Sequence, residues 1–292
     1  MTYFLQQLVN GLTIGSTYAL VAVGFALIYG VVGILNAAHA DLATLTGYVG
    51  LYFAVSVGIG FWGALAGVLG TAVLAGIVLY YAIFARLRPD NLLAMFVATI
   101  GVSFVIEYGI ARVKGSAPEL FPSYLPSGSF SIGSVSIQYA QLIVFVTSLV
   151  LCVALWAGIR FTALGRQLRA VAASPDMAVA LGINARAVRL LAVVASSLLA
   201  GVAGLLLATL YQSVNPFLGQ TLAFNMFVIA IVGGVGSVLG TLGVSLLVGI
   251  IPAVTSTYLN ANITATLPLA LMVLVLLARP EGLAGGSSLR RG

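Results

Sequence analysis

The sequence has few charged residues and only one cysteine. Charged residues make up 6% of the 292 positions and hydrophobic residues 61%, whereas about 25% of an ordinary soluble domain is charged. Twelve basic and six acidic side chains are too few to cover a soluble protein of this size. Cys152 alone can form neither an intrachain disulfide nor a cysteine-based metal cluster. We therefore predict a polytopic membrane protein and exclude a soluble enzyme, a secreted disulfide scaffold, a disordered protein and a nucleic-acid-binding protein.

Long apolar runs are abundant. A membrane-spanning helix needs about 20 predominantly apolar residues, and glycine, which is frequent in such helices, occurs 34 times. Polar and apolar residues do not alternate along the runs, so we do not expect a β-barrel. We predict an all-α transmembrane helical bundle of about eight to ten spans, forming a single transmembrane domain over residues 1–292. The candidate spans are 8–30, 39–57, 62–84, 92–112, 138–159, 190–211, 217–235, 238–258 and 262–278.

The basic residues indicate which loops face the cytoplasm. They form three clusters, and the positive-inside rule places all three on the cytoplasmic side. Residues 115–137 contain no Lys or Arg and are therefore expected outside, although Arg112 and Lys114 depart from the rule at the outer end of the fourth span. The C-terminus is then cytoplasmic and the N-terminus outside. The clusters are Arg86 with Arg88; Arg160, Arg166, Arg169, Arg186 and Arg189; and Arg279, Arg290 and Arg291.

The seventh run ends in the glycine-rich sequence VGGVGS, at residues 232–237. Glycines break a helix and let two backbones approach closely. Two interpretations remain open from the sequence. The segment is either a tight turn, or a broken helix whose freed backbone lines a cavity, which a membrane tolerates only where protein or water covers it.

Residues 160–189 form the only sizeable cytoplasmic loop in this scheme. Within it, Ser174 is typical of a helix N-cap, Pro175 of the first helical position and Asp176 of an acidic first turn. Gly182 can end this helix after Leu181, and Asn184 can cap the next one. The short helix has an apolar side and arginines around it, which favours docking on a soluble protein. The alternative is an interfacial helix that lies on anionic lipid headgroups.

Few polar side chains lie within the spans, and each is a candidate for function because burying it in a membrane is costly. We find no nucleophile-elbow serine and no HExxH pattern, so we predict neither catalytic nor metal-binding residues. Arg112 follows Glu107 by five residues, a poor spacing for a pair on one helix face. A proton relay through His39, Asp41 and Glu107 is an alternative use of these groups. We predict that the substrate pathway is lined by Asn36, His39, Thr99 and Asn225, although some of them could instead only bond neighbouring helices.

A nucleotide-binding motif is absent from the sequence. No G-x-x-x-x-G-K-[ST] pattern occurs, and the only lysine, Lys114, follows Val113 rather than a glycine-rich loop. We therefore do not expect this chain to be an enzyme, and any ATP that drives it must be bound by another chain.

Four regions together form a specific pattern. They are the N-terminal stretch 4–42, which contains NAAHAD; ATIGVSF at 98–104; GRQLRAVAASPDMAVALGINARAVRLLA at 165–192; and the C-terminal stretch from FVIAIVGGVGS at 227–237 to LLARPEGL at 276–283. This pattern resembles the permease subunits of bacterial ATP-binding-cassette importers for branched-chain amino acids, over nearly the whole chain. Asn36, Ala38 and His39 match the family, whereas Ala37, Ala40, Asp41 and Glu107 depart from its usual residues.

The resemblance implies a multi-pass protein of the bacterial inner membrane that translocates branched-chain or other hydrophobic amino acids. It implies, as partners, a second related permease subunit or a copy of this chain, two cytoplasmic ATPase subunits and a periplasmic substrate-binding protein, besides membrane lipid. No cofactor is expected in this chain, because the ATPase subunits bind the ATP. The coupling contact with the ATPase is expected within 160–189, at Ser174, Pro175, Asp176, Ala180, Leu181 and Gly182.

Other functions remain compatible with the sequence. A permease of the same superfamily could carry urea, short amides or another small solute. A proton-coupled secondary transporter would use the buried acids and would need no ATP. A membrane scaffold would bind a partner protein without any substrate flux.

Overall fold

The computed structural model describes residues 2–87, 91–133, 135–234, 236–256 and 259–284, which are mainly helical. Arg88, Arg290 and Arg291 of the predicted cytoplasmic clusters lie outside the described residues. The α-helices are α1 (Thr2–Val32), α2 (Asp41–Leu51), α3 (Gly60–Leu79), α4 (Leu92–Lys114), α5 (Tyr139–Phe161), α6 (Ala163–Ala173), α7 (Pro175–Ala180), α8 (Ala185–Tyr211), α9 (Leu218–Gly233), α10 (Val238–Thr255) and α11 (Ala261–Ala278). One-turn π-helices extend α2 over Tyr52–Ser56 and α3 over Tyr80–Phe84, and a 3-10 turn, Ala37–His39, precedes α2.

Every predicted apolar run contains a helix, which confirms the all-α membrane architecture. Among the described residues, six helices are long and apolar enough to cross a membrane: α1, α3 with its π turn, α4, α5, α8 and α10. Helix α9 and the part Thr266–Ala278 of α11 are apolar too but shorter, and α2 has only 11 residues. Two helices begin earlier than the predicted runs. Helix α1 begins at Thr2 instead of residue 8, and α8 begins at Ala185 instead of residue 190.

Helix α1 lies at the centre of the bundle. Five consecutive residues, 19–23, are buried, and a helix that is apolar all round is stable only when other helices surround it. Its neighbours are α5, α8, α9 and α10. By contrast, α4 leaves large apolar side chains such as Leu93 and Val105 exposed, as expected for a helix that faces lipid.

The packing of α1 on α10 depends on glycine. A β-carbon at Gly11 would lie 2.6 Å from Cα of Ile250, and one at Gly15 would lie 2.7 Å from the carbonyl oxygen of Ser245. Gly249 of α10 faces Gly15 in turn. Small residues at such a crossing let two helix backbones meet directly, which is how helices associate in membranes without a hydrophobic driving force.

Two short sheets and a pair of side-chain contacts define one end of the bundle. Strand β1 (Glu119–Leu120) pairs antiparallel with β4 (Ser213–Val214), and β2 (Ser129–Ile132) pairs with β3 (Val135–Gln138). Gln6, near the start of α1, donates a hydrogen bond of 2.8 Å to the carbonyl of Ser136 and accepts one from its N–H. The N-terminus, the segment after α4 and the α8–α9 connection therefore share one end, as the predicted topology requires.

The opposite end contains the α9–α10 turn, the α5–α8 loop and the chain after α11. The N–H of Leu283 donates a hydrogen bond of 2.8 Å to the carbonyl of Val232, and Gly236 lies beside Gly30 near the end of α1. The described basic residues of the three predicted clusters gather at this end, whereas Arg112 and Lys114 are at the other. The gathered residues are Arg86, Arg160, Arg166, Arg169, Arg186, Arg189 and Arg279.

In the glycine-rich segment 232–237, α9 ends at Gly233 and α10 begins at Val238, and the described residues between them form a tight turn. Gly234 and Gly236 have positive φ angles of 90° and 87°, a conformation that glycine adopts without the penalty of a side chain. Ser237 then caps α10 by accepting a hydrogen bond of 3.2 Å from the N–H of Gly240. Of the two interpretations of this sequence, the turn is therefore confirmed at its described residues.

The α1–α10 contact predicts that an added methyl group destabilises the protein at this crossing but not at an open position of α4. We expect Gly15→Ala and Gly249→Ala each to lower the free energy of unfolding by about 1–3 kcal/mol, because the methyl group would overlap backbone atoms of the other helix. Gly101→Ala on α4, where nothing lies within 4 Å, is the matched control and should be neutral. The melting temperatures of the three purified variants in detergent measure these effects. Equal melting temperatures for all three would contradict the close contact.

Candidate functional site

The predicted helix in the long loop is α7, and its boundaries follow the predicted signals. The hydroxyl of Ser174 accepts a hydrogen bond of 3.3 Å from the N–H of Met177, and Pro175 occupies the first helical position. Gly182 has a φ of 79°, which ends the helix. Asn184 then caps α8 by accepting a hydrogen bond of 3.1 Å from the N–H of Ala187. These contacts confirm the predicted local structure.

Helix α7 has one buried and one exposed side. Ala178 is buried in an apolar cluster that also includes Val171 of α6, Val31 of α1 and Val188 of α8. Met177, Val179 and Leu181 are 68%, 58% and 79% exposed. An exposed apolar patch bordered by polar groups marks a contact surface, and here the patch is fixed to two long helices of the bundle. Of the other predicted coupling residues, Asp176, Ala180 and Gly182 are exposed too.

Helix α6 was missed by the sequence analysis, which treated residues 163–173 as part of a loop. Thr162 caps it by accepting a hydrogen bond of 3.0 Å from the N–H of Gly165. Arg169 donates to the carbonyls of Ile159 and Arg160, at the C-terminal end of α5. A threonine followed by a run of good helix formers was the available signal. The two helices together form a helical elbow, α6–α7, at the basic end of the molecule.

Three of the four predicted pathway residues lie close in the fold, where the chain passes from α1 to α2. The backbone of residues 33–36 is not helical, so its polar groups need partners other than a helix provides. The hydroxyl of Thr99 on α4 accepts a hydrogen bond of 3.1 Å from the N–H of Ala37 and donates one of 2.8 Å to the carbonyl of Phe96. Thr99 therefore stabilises this irregular connection.

Asn36 and His39 are fully buried beside this connection. Within the described residues, neither side chain has a hydrogen-bond partner. His39 fits against α1 because Gly24 has no side chain: a β-carbon there would lie 2.8 Å from Nε2 of the imidazole. Buried polar groups without partners are costly and call for an explanation, so both residues remain candidates for a functional role.

A second cluster of polar residues joins α2, α4 and α9. Ser103 donates a hydrogen bond to the carboxylate of Asp41, and Gln220 donates one of 2.8 Å to that of Glu107. Ser103 and Glu107 are four residues apart on α4 and therefore share a helix face, while Gly219 lies against Asp41. Ser103 and Gln220 were not among the predicted site residues, because their partners lie 62 and 113 positions away in the sequence.

Asn225 lies in a groove that none of the other three predicted pathway residues lines. Its amide donates a hydrogen bond of 3.0 Å to the carbonyl of Thr221, within α9. The groove has a volume of about 720 Å³ and lies between α1, α9, α10 and α11. Its wall is mainly apolar, with a few polar groups, and Gln220 connects it to Glu107. The lining includes Ile14, Tyr18, Phe224, Val248, Pro252 and Thr264.

The bundle of apolar helices, the lipid-facing side chains and the exposed loop define a multi-pass membrane protein. A model of the family described as "Branched-chain amino acid transport system / permease component" matches residues 7–276. The chain therefore belongs to this family of transport permease components.

Curated relatives agree with this assignment. The chain is 33% identical to the high-affinity branched-chain amino acid transport system permease protein LivH of Escherichia coli (strain K12), over 97% of this chain and 96% of the relative. It is 32% identical to the corresponding protein BraD of Pseudomonas aeruginosa, over the same shares. A probable branched-chain amino acid transport permease protein of Methanocaldococcus jannaschii is 25% identical over 91% of this chain and 88% of the relative.

The hydrogen bond between Thr99 and Ala37 can be tested with an isosteric change. We expect Thr99→Val to lower the free energy of unfolding by about 1–3 kcal/mol, because it leaves a buried backbone N–H without an acceptor. Thr99→Ser should retain the stability. Thr209→Val is the control, since the buried hydroxyl of Thr209 bonds only carbonyls of its own helix. Thermal unfolding in detergent measures the three variants, and a Thr99→Val protein as stable as Thr209→Val would disprove the structural role.

Proposed function

We propose that this chain is the translocating subunit of an ATP-driven importer for leucine, isoleucine and valine in the bacterial inner membrane. The observation that carries the proposal is the exposed apolar side of α7, on a helical elbow fixed to α1 and α8. A soluble partner that binds this elbow can move two long helices at once. The family assignment and the relatives at 33% and 32% identity support the same class of transporter.

ATP hydrolysis belongs to the partner subunits in this proposal. The sequence has no phosphate-binding loop, and its only lysine, Lys114, forms an ion pair of 3.7 Å with Glu119, at the end of the bundle opposite α7. Two cytoplasmic ATPase subunits therefore bind the ATP, and one of them contacts α7 through Met177, Val179 and Leu181. No cofactor is bound by this chain.

The charge distribution supports the orientation of the chain. The described arginines of the three predicted clusters are at the end that carries α6 and α7, and the positive-inside rule places this end in the cytoplasm. The C-terminus is then cytoplasmic. The end with the paired strands faces the periplasm, where a substrate-binding protein delivers the amino acid. A second related permease, or a copy of this chain, completes the membrane part of the importer.

The substrate pathway uses the polar groups that the bundle leaves available. Asn36 and His39 have unused hydrogen-bonding capacity in the part of the chain that the structure describes, and Asn225 lies in the groove between α9 and α11. An apolar wall with few polar groups suits an amino acid whose side chain is a branched hydrocarbon. Thr99 contributes to the pathway by holding the connection that carries Asn36.

A proton-coupled transporter is the second candidate, because Asp41 and Glu107 lie near one another inside the bundle. Ion pairs of 4 Å or less to these two acids are not found among the described residues. Such a transporter would move its substrate without an ATPase, so that the dependence of uptake on ATP separates the two candidates.

The contact with the ATPase predicts a specific loss of assembly. We expect the double substitution Met177→Glu and Leu181→Glu to reduce the ATPase that co-purifies with the chain by more than about tenfold, because charge replaces the apolar contact surface. ATP-dependent leucine uptake by reconstituted vesicles should fall in parallel, while the melting temperature of the chain stays unchanged.

Leu120→Glu is the matched control, since Leu120 is 86% exposed at the opposite end of the bundle. It should retain the ATPase. Undiminished uptake by the doubly substituted chain, or uptake by the chain alone without ATP, would contradict the importer and favour the proton-coupled transporter. Competition by urea or short amides but not by leucine would contradict the assigned substrate.

The position of the groove predicts where a larger side chain blocks transport. We expect Asn225→Trp to lower leucine uptake by at least about tenfold, because the indole fills the groove, while the ATPase still co-purifies. Val146→Trp, on the exposed side of α5, adds a similar volume outside the groove and should leave uptake unchanged. Equal uptake by the two variants would exclude the groove from the pathway.

A further inference from the structure

A cavity of about 370 Å³ lies where α1, the end of α3 and the start of α4 meet the start of α8. Its walls differ in chemistry. Ile34, Phe84 and Met95 provide buried apolar surface, and Arg186 and Arg189 bring two guanidinium groups from the first turns of α8. Neither the coupling contact nor the substrate pathway uses this cavity.

Neither arginine forms an ion pair of 4 Å or less with an acid among the described residues. The one ion pair of the described residues, Lys114 with Glu119, is at the other end of the bundle. The Nε of Arg189 is buried and has no hydrogen-bond partner there. Arg186 and Arg189 are three residues apart and thus share a helix face. They also begin a helix whose first turn has no acid, where the helix dipole disfavours positive charge. Two cations that line one cavity favour the binding of an anion there.

The geometry holds one of the guanidinium groups in place. The guanidinium of Arg186 lies over the ring of Tyr81, 5.4 Å from its centroid. This contact orders the guanidinium group beside the cavity that Arg186 lines. The hydroxyl of Tyr80 donates a hydrogen bond of 3.0 Å to the backbone carbonyl of Arg186, which fixes the start of α8 to the end of α3. The fold therefore orders much of this site before any ligand binds.

The position of the cavity in the bundle identifies the kind of anion. The cavity lies at the level where α1 ends at Val32 and α8 begins at Ala185, and the ends of membrane-spanning helices meet the lipid headgroups there. Guanidinium groups bind phosphate through paired hydrogen bonds, and basic cavities between membrane helices bind anionic lipid headgroups. A free phosphate ion would match the arginines as well, so inorganic phosphate has to be compared with a lipid.

We propose that this cavity binds the headgroup of an anionic phospholipid, with its phosphate on Arg186 and Arg189. The bound lipid neutralises the two arginines and joins the start of α8 to the ends of α1 and α3. Because α8 follows α7 directly, the lipid also stabilises the base of the α6–α7 elbow.

The test measures the melting temperature of the full chain, purified in a neutral detergent, during titration with phosphatidylglycerol, phosphatidylcholine or inorganic phosphate. We expect phosphatidylglycerol alone to raise it in a saturable manner. The double substitution Arg186→Gln and Arg189→Gln should weaken the apparent affinity about thirtyfold, since each basic side chain near an anionic headgroup contributes a factor of roughly five. Arg186→Lys with Arg189→Lys should weaken it less, because the charges remain.

The matched control is Arg166→Gln with Arg279→Gln, which removes the same charge at the same end of the bundle but outside the cavity. It should respond to phosphatidylglycerol as the unchanged chain does. Mass spectrometry of lipids that co-purify with each variant gives a second readout that does not depend on unfolding. An equal response of the two glutamine variants would overturn the site, and an equal rise with inorganic phosphate would assign it to a free anion instead of a lipid.

Discussion

The contact between α1 and α10 at Gly11, Gly15 and Gly249 is the constraint on which the rest of the bundle depends. Lipid is as apolar as a helix surface, so helices in a membrane associate through close packing rather than through exclusion from water. Since glycine lets these two backbones meet, α1 can sit at the centre with helices around it. Its far end then supports the α6–α7 elbow, and the missing side chain at Gly24 makes room for His39.

This arrangement places most of the buried polar groups discussed above in one region. A membrane tolerates irregular backbone only where protein supplies hydrogen bonds, and Thr99 supplies one for the connection between α1 and α2. Asp41 and Glu107 lie nearby, with Ser103 and Gln220 bonding them across three helices. These bonds join α2, α4 and α9, and α9 also lines the proposed pathway groove. A change in the groove can therefore reach the buried acids through Gln220.

The two ends of the bundle have different chemistry, which fits a transporter with different partners on each side. One end carries the paired strands and the ion pair between Lys114 and Glu119. The other carries the gathered arginines, the exposed apolar side of α7 and the cavity with Arg186 and Arg189. In the proposed orientation, the basic end meets anionic lipid and an ATPase. In these proposals, the arginines that set the topology thus also provide a binding site for lipid.

The sequence by itself determined the apolar helices, the caps at Ser174 and Asn184, and the family, because these depend on local composition and on short motifs. It left the 232–237 segment undecided, and the positive φ angles of Gly234 and Gly236 resolved it as a turn. Only the tertiary structure brought Gln220 to Glu107, separated the groove of Asn225 from His39, and placed Arg186 and Arg189 in one cavity with the ends of α1 and α3. These pairings link residues far apart in the chain, and helix packing, which no local pattern encodes, decides which of them meet.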